Sequence, residues 1–232
     1  MKAAALAAAA GVAGAAWAVR GRTSAVFGPS VWRGSDRRRA VALTFDDGPT
    51  KATPEILQAL YSFNVRATFF ECGMNTERHP DIAREVARAG HQIGNHSHSH
   101  PNCALKSPGF IRDEFRRAQN AIQTATGVTP RLMRAPYGVR WFGFGRMQQE
   151  LGLQGVMWSI IGRDWRLPAA AIAARIISRV KPGDIICLHD GRGTLENPDI
   201  SQTVEAVRRI IPALMETGYH FETVTDLLCP RK

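Results

Sequence analysis

Apolar residues along this chain fall into two alternating patterns. Short runs rich in β-branched and aromatic side chains, at Val41–Phe45, Val65–Phe70, Gln92–Asn95, Leu132–Arg134, Gly155–Ser159, Ile185–Leu188 and His220–Val224, predict seven strands. Between them, Pro54–Phe63, Pro80–Ala89, Pro108–Thr126, Trp141–Leu151, Pro168–Val180 and Ile200–Thr217 carry apolar residues three and four apart, which predicts six helices. Several begin at or just after a proline, whose missing N–H is not needed in a first helical turn. Glycines at 90, 127, 152 and 218 follow these runs, where left-handed caps are expected. A repeated β-then-α order implies parallel strands joined by right-handed crossovers, either in an open doubly wound sheet or in a closed barrel. The reactive-looking residues lie at or just beyond strand C-terminal ends, at Asp46-Asp47, His96 to His100, Arg134, Asp164 and His189. An open sheet gathers such residues at one crevice, whereas a barrel opens all its strand ends on one mouth. Contributions from at least five strands therefore favour the barrel.

The N-terminal stretch does not share this pattern. Residues 3–18 are almost all Ala, Gly, Val and Leu, between Lys2 and the pair Arg20 and Arg22, which resembles an export signal or a short membrane anchor. Ala16-Trp17-Ala18 offers a small-x-small cleavage pattern, although the run is barely long enough to span a bilayer. The expected organisation is therefore a signal peptide or anchor over residues 1–20, an Arg-rich linker over 21–38 and one domain over 39–230. With 232 residues, 44% hydrophobic and 22% charged, the chain is outside the disordered, collagen-like and coiled-coil classes. Cys72, Cys103, Cys187 and Cys229 show no C-x-x-C spacing, so buried thiols are expected rather than a thiolate metal site or a disulfide scaffold. The net charge of +10 favours anionic partners. Arginines are spread along the chain rather than gathered with aromatics on one element, which argues against a nucleic-acid reader.

Several polar groups then suggest chemistry. Asp46 and Asp47 follow an apolar strand; continuing strand would point them to opposite faces, but the Gly48-Pro49 turn would let both reach the mouth. Two close carboxylates need a positive group beside them, although Asp47-Gly48-Pro49 in isolation also reads as a plain solvated turn. In His96-Ser97-His98-Ser99-His100, a helical turn would put His96 and His100 on one face with His98 pointing away, whereas a strand would align all three. Asn95 before and Pro101 after favour a loop or single turn, and Asp47 would complete a His-His-carboxylate set with open positions. Arg134 enters the turn Ala135-Pro136-Tyr137-Gly138; its fork would hold a carboxylate such as Asp46, and the Tyr137 N–H would face a developing oxyanion. If Asp164 reaches His189, it would orient the imidazole and make it a general acid opposite an Asp46 base.

Taken in order, TFDDGP at 44–49, HSHSH at 96–100, RAPYG at 134–138, RDW at 163–165 and ICLHD at 186–190 resemble the polysaccharide deacetylase family, whose domain is also called the NodB homology domain and carbohydrate esterase family 4. The resemblance covers about residues 39–228. It implies a distorted (β/α)7 TIM-like barrel that removes N-acetyl, or sometimes O-acetyl, groups from sugar polymers with a divalent metal, commonly Zn2+, with Co2+ or Mn2+ as alternatives. It further implies that Asp47, His96 and His100 hold the metal and that Asp46, steadied by Arg134, is the base. Tyr137 N–H would stabilise the oxyanion, and His189, oriented by Asp164, would protonate the leaving amine. Trp165, Cys187 and Leu188 would wall the acetyl pocket. Two positions depart from the family's habit: Cys187 stands where an aliphatic side chain is more usual, and Ile161 where an acidic one is frequent.

Two other readings compete. His96-Ser97-His98 fits the H-x-H pair of metal-dependent amidohydrolases, but that pair is expected on a first barrel strand and here follows the third. A non-catalytic carbohydrate-binding protein of the cell envelope could keep the fold, but the complete set Asp46, Arg134, Asp164 and His189 argues against it. The expected partner is an acetylated polysaccharide such as peptidoglycan, chitin or xylan, at an exported or membrane-anchored location in the cell envelope.

Overall fold

The computed structural model describes residues 2–229. After helix α1 (Lys2–Arg20), the strands are β1 (Ser30–Val31), β2 (Ala40–Asp46), β3 (Thr68–Glu71), β4 (Gln92–Asn95), β5 (Leu132–Met133), β6 (Gln154–Val156), β7 (Ile160–Ile161), β8 (Ile185–His189) and β9 (His220–Phe221). Helices α2 (Thr53–Ser62), α3 (Gly73–Arg78), α4 (Pro80–Arg88), α5 (Pro108–Thr126), α6 (Phe144–Leu151), α7 (Ala169–Ile177), α8 (Ser201–Glu216) and α9 (Val224–Leu228) lie between and after them. The spatial order is β1-β6-β5-β4-β3-β2-β8-β7, with every named strand pair parallel and β9 added to the start of β2.

Strand β2 sits at the centre and is buried along its whole length. Its alternation separates two cores: Val41, Leu43 and Phe45 face the helical layer, while Ala40 and Ala42 face the barrel interior with Phe70, Leu132 and Ile185. Phe45 stacks on Phe69 at 5.0 Å, and Ile56, Leu60, Ile172, Val207 and Ile210 cover that face. Each such fully buried side chain contributes roughly 1.5–3 kcal/mol. The small residues on the inner face are necessary because the interior of a narrow barrel has no room for a second layer of large ones.

The barrel is distorted at one seam. The stretch predicted as a single strand, 155–159, breaks in two: β6 pairs with β5 and β1, whereas β7 pairs with β8. Between the halves, Met157 N–H bonds Val31 O and Ser159 N–H bonds Ile185 O, so neighbouring amides turn to opposite sides. One continuous chain segment therefore closes the ring without a ladder between β6 and β7. The seventh predicted strand shortens to His220–Phe221 and lies off the ring, because Thr223 caps α9 instead, its Oγ1 accepting from Asp226 N–H at 3.2 Å. Ring segment β7 takes its place. Helix α5 spans the predicted 108–126, but α6 begins only at Phe144, since Gly143 has φ 97° and cannot continue the helix. Helix α3 was not expected.

Within residues 21–38, Ser30–Val31 already joins the sheet beside β6. The buried Arg140 guanidinium donates to Ser24 O at 2.6 Å and to Gly21 O, and its backbone N–H donates to Val19 O at 3.0 Å. The end of α1 is thus fastened to the barrel mouth. Among the described residues, no helix is long and apolar enough to cross a membrane. Cys72, Cys103 and Cys187 are buried free thiols as expected; Cys229 is exposed.

Candidate active site

The two adjacent aspartates do reach one cavity, but through a backbone device the sequence did not reveal. Asp46 ends β2 pointing inward, and Asp47 adopts φ 76°, a left-handed step that cancels the alternation of the strand. Ser97, His100, Tyr137 and Arg163 also have positive φ, so five of the seven such non-glycine residues among the described ones line or adjoin this mouth. Each costs roughly 1–3 kcal/mol and persists only where its surroundings hold it.

Asp47, His96 and His100 place their donor atoms within 4.8 Å of one another. His96 Nε2 lies 3.3 Å and His100 Nε2 3.0 Å from Asp47 Oδ1, which is buried and has no hydrogen-bond partner among the described residues. Burial opposes the Asp47 charge, but the His100 and His96 imidazoles and the positive charge of His189 outweigh it and hold its carboxyl well below the usual range. Its other oxygen, Oδ2, accepts from Gly193 N–H at 2.9 Å. Gly193 has φ 57°, and a Cβ there would sit 3.3 Å from His100 Nδ1, so the position needs glycine both for backbone and for space. His96 Nδ1–H donates to Arg134 O at 2.8 Å, a choice of tautomer that turns its Nε2 to the cluster.

The histidine segment is a loop rather than a helical turn. Glu114 on α5, itself buried, accepts from His98 N–H at 3.1 Å, Ser99 N–H at 2.8 Å and Ser99 Oγ–H at 3.0 Å. His98 points away as anticipated, its Nε2 3.1 Å from Glu77 Oε1. That removes the H-x-H reading, because His96 and His98 do not converge.

Arg134 is fully buried between Phe70 and Trp158, 4.2 and 5.6 Å from their ring centroids. Its Nη1 donates to Asp46 Oδ1 at 2.6 Å and to Thr44 Oγ1 at 2.7 Å. Nε and Nη2 donate to Val156 O at 3.3 Å and Met157 O at 3.2 Å. One guanidinium thus holds the carboxylate and also satisfies carbonyls left without strand partners at the seam. Tyr137 follows on a tight turn, with its ring edge-on to His100 at 4.7 Å.

On the opposite wall, Asp164 accepts from His189 Nδ1–H, His189 N–H and Thr203 Oγ1–H, each at 2.8 Å. Burial opposes the charge of both groups. For His189 the charge and hydrogen bond of Asp164, with Asp47 and Asp46 beyond, prevail and push its pKa up to about 9. For Asp164, His189 and Thr203 prevail and lower it. Trp165 stands edge-on to His189 at 5.3 Å.

These walls enclose a cavity of about 420 Å³ lined by Asp46, Asp47, His96, His100, Tyr137, Trp158, Ile161, Trp165, Cys187 and His189. Arg134 and Asp164 stand behind it. Leu188 is the correction: it is fully buried in the outer core against the helices and does not line the cavity. Strand alternation forbids Cys187 and Leu188 from walling one pocket, and Ile161 from β7 and Ala135 supply apolar lining instead. Cys187 lies with Sγ 3.5 Å from Asp46 Oδ2; burial and the Asp46 carboxylate push its pKa well up, so it is a thiol that donates. Sequence reasoning missed Glu114, Gly193, Thr44 and Thr203. Only Thr44 carried a signal, since it shares the inward face of β2 with Asp46.

Over residues 33–156 the chain matches the family model described as polysaccharide deacetylase. It is 35% identical over 198 residues to a chitooligosaccharide deacetylase of Bradyrhizobium sp. (strain ANU 289), covering 82% of this chain and 90% of that protein. Among solved structures, a peptidoglycan N-acetylglucosamine deacetylase in complex with 4-naphthalen-1-yl-N-oxidanyl-benzamide superposes with a TM-score of 0.81 at 32% identity, covering 86% of this chain and 92% of that one. A family 4 acetyl xylan esterase from Clostridium thermocellum, bound to a cobalt ion, gives a TM-score of 0.73 at 36% identity, covering 81% and 89%. The chain belongs to the polysaccharide deacetylase family.

Proposed function

We propose that this member of the polysaccharide deacetylase family hydrolyses N-acetyl groups on N-acetylglucosamine-containing polysaccharide, of peptidoglycan or chitin type. The observation that carries the reading is the arrangement of two opposed, separately supported pairs, Asp46 with Arg134 and His189 with Asp164, around one donor cluster in one cavity. The cluster fits a divalent cation: Asp47 Oδ1 is buried and unpartnered, and two imidazole nitrogens converge on it in place of hydrogen-bond donors with good geometry. One carboxylate and two imidazoles suit zinc, with cobalt or manganese as alternatives, and leave positions open for water and substrate. Held there, the cation would supply Lewis acidity to the acetyl carbonyl and to the attacking water.

The chain's own residues divide the rest of the reaction. Asp46 accepts the proton of the attacking water through Oδ2, because Arg134 occupies Oδ1 and fixes the carboxylate plane. The Tyr137 N–H stabilises negative charge as it develops on the carbonyl oxygen. His189, whose Nδ1–H is committed to Asp164, delivers its Nε2 proton to the departing amine, the Asp164 carboxylate beside it favouring the protonated imidazole. Trp165, Cys187 and Ile161 shape the acetyl pocket. Residues 1–20 would direct the enzyme to the cell envelope, where such polymers lie.

The test is acetate release from N-acetylglucosamine oligomers and from peptidoglycan, with zinc and with chelator, beside Asp46→Asn. Metal-dependent release lost in the variant is the expected result. Release that persists at the wild-type rate in Asp46→Asn would overturn the assigned chemistry.

A further inference from the structure

A second cavity, of about 330 Å³, adjoins the catalytic one and shares two of its walls, Trp158 and Ile161. Its lining is cationic: Arg22, Arg33, Arg175, Arg179 and Lys181 face a single carboxylate, Asp184. That carboxylate is already taken, since Arg33 Nε and Nη2 donate to Asp184 Oδ1 at 2.9 and 2.5 Å. Trp32 fixes the outer rim, with the guanidiniums of Arg22 and Arg33 at 5.2 and 5.3 Å from its ring centroid. Arg22 Nη1 donates to Ser159 O at 2.5 Å, and Arg175 Nε to Ile161 O at 2.9 Å. Backbone carbonyls orient these two groups without neutralising them. Among the described residues, the side chains of Arg179 and Lys181 make no ion pair and no hydrogen bond. Burial and the charges of Arg179 and Arg163 push the Arg175 pKa down, the mark of cations crowded together.

We infer that this cavity is a subsite for an anionic substituent, carboxylate or phosphate, carried by the polysaccharide strand whose acetyl group occupies the catalytic cavity. The inference rests on the deacetylase reading and narrows its substrate class to anionic glycans in preference to neutral ones. Three features point to the strand rather than to a free ion. The two cavities share a wall, so a sugar at one places its neighbour's substituents near the other. The cations approach from two segments far apart in sequence, at residues 22–33 and 175–181, which suits an elongated ligand. The Trp158 ring, common to both cavities, offers apolar surface between the catalytic groups and the charges. Arginine forks match the planar or tetrahedral oxygens of such anions.

The experiment compares three ligands of matched length: a neutral N-acetylglucosamine oligomer, a glycan strand bearing carboxylates, and an oligomer bearing phosphate monoesters. Equilibrium binding is measured on the full chain with zinc, carrying Asp46→Asn to prevent turnover, with and without Arg179→Gln and Lys181→Gln. Both of these side chains are exposed and unbonded, so their replacement leaves the fold intact. A charged strand should bind about tenfold or more tighter than the neutral oligomer, the advantage shrinking to within about twofold in the double variant and with added salt. Whichever charged ligand gains identifies the anion. Equal affinity for neutral and charged ligands, or an advantage untouched by the double variant, would overturn the inference. Acetate release by the wild-type protein is measured in parallel. An intact charge advantage without any release would sink the deacetylase reading and leave the anion site standing; release without charge preference would do the reverse.

Discussion

Replacing Arg134 by methionine removes the guanidinium hydrogen-bonded to Asp46 while keeping apolar volume between Phe70 and Trp158. Asp46 is 3% exposed, so its carboxylate would be left buried without its hydrogen-bonded cation, facing only the more loosely placed His189 and His96 imidazoles. An orphaned buried charge costs about 3–5 kcal/mol. The seam carbonyls of Val156 and Met157 lose their donors as well, adding about 1 kcal/mol each. Against the roughly 5–15 kcal/mol that stabilises a typical domain, Arg134→Met should be severely destabilising. Asp46→Asn alone keeps an acceptor for the guanidinium and should cost less, about 1–3 kcal/mol. The double variant has neither charge, and the carbonyl cost is common to both Arg134 variants, so a double-mutant cycle isolates the pair with a coupling of about 2–4 kcal/mol. Urea unfolding of chelator-treated protein at pH 7 measures it, read as midpoint shifts at unchanged slope. A coupling below about 0.5 kcal/mol would refute the claim that charge pairing organises this wall.

The register correction predicts that Leu188→Ala costs about 2–5 kcal/mol of stability with KM for the acetylated substrate unchanged, whereas Cys187→Val changes kcat/KM with little loss of stability; the reverse pattern would restore Leu188 to the pocket. In metal-free protein the raised His189 pKa contributes stability that is fully present below 6.5, its ordinary value, and is lost as pH rises through about 9. The thermal midpoint should therefore fall across that window and fall less in Asp164→Asn; equal slopes would exclude the ion pair as the cause. Glu114 touches no reacting group, but Glu114→Ala frees the His98 and Ser99 amides, so zinc affinity should drop ten- to a hundredfold in equilibrium titration while the fold persists. Unchanged affinity would show that the histidine loop holds its shape without α5.

What could be read along the chain was periodicity and chemical type. The alternation of apolar strands with amphipathic helices, together with reactive residues at strand ends, was enough for a barrel with its site at one mouth. The density of histidines at 96–100 and the placement of Asp47 were enough for a donor cluster that could hold a metal ion. These features are local: a strand's alternation and a helix's repeat are written in a few consecutive residues. The errors mark where local information stops. The break at 157–159 depends on which neighbours the two halves pair with, and those partners, Val31 and Ile185, lie far off in sequence. The motif alone puts Leu188 in the pocket, although the alternation within Ile185–His189 excludes it. The positive φ values at Asp47 and His100 are tolerated by those residue types but not dictated by them, and they survive because Gly193, Asn75 and Glu114 bond the surrounding loops from distant elements. The pairing of Arg134 with Asp46, 88 residues apart, and of Asp164 with His189, 25 apart, likewise formed only on folding. The sequence determined the fold class and the chemical types available at the mouth, because those follow from short-range pattern. Tertiary structure alone decided which donors converge, which carboxylate is paired and where the free cations collect, because each depends on long-range packing that brings charges out of water together.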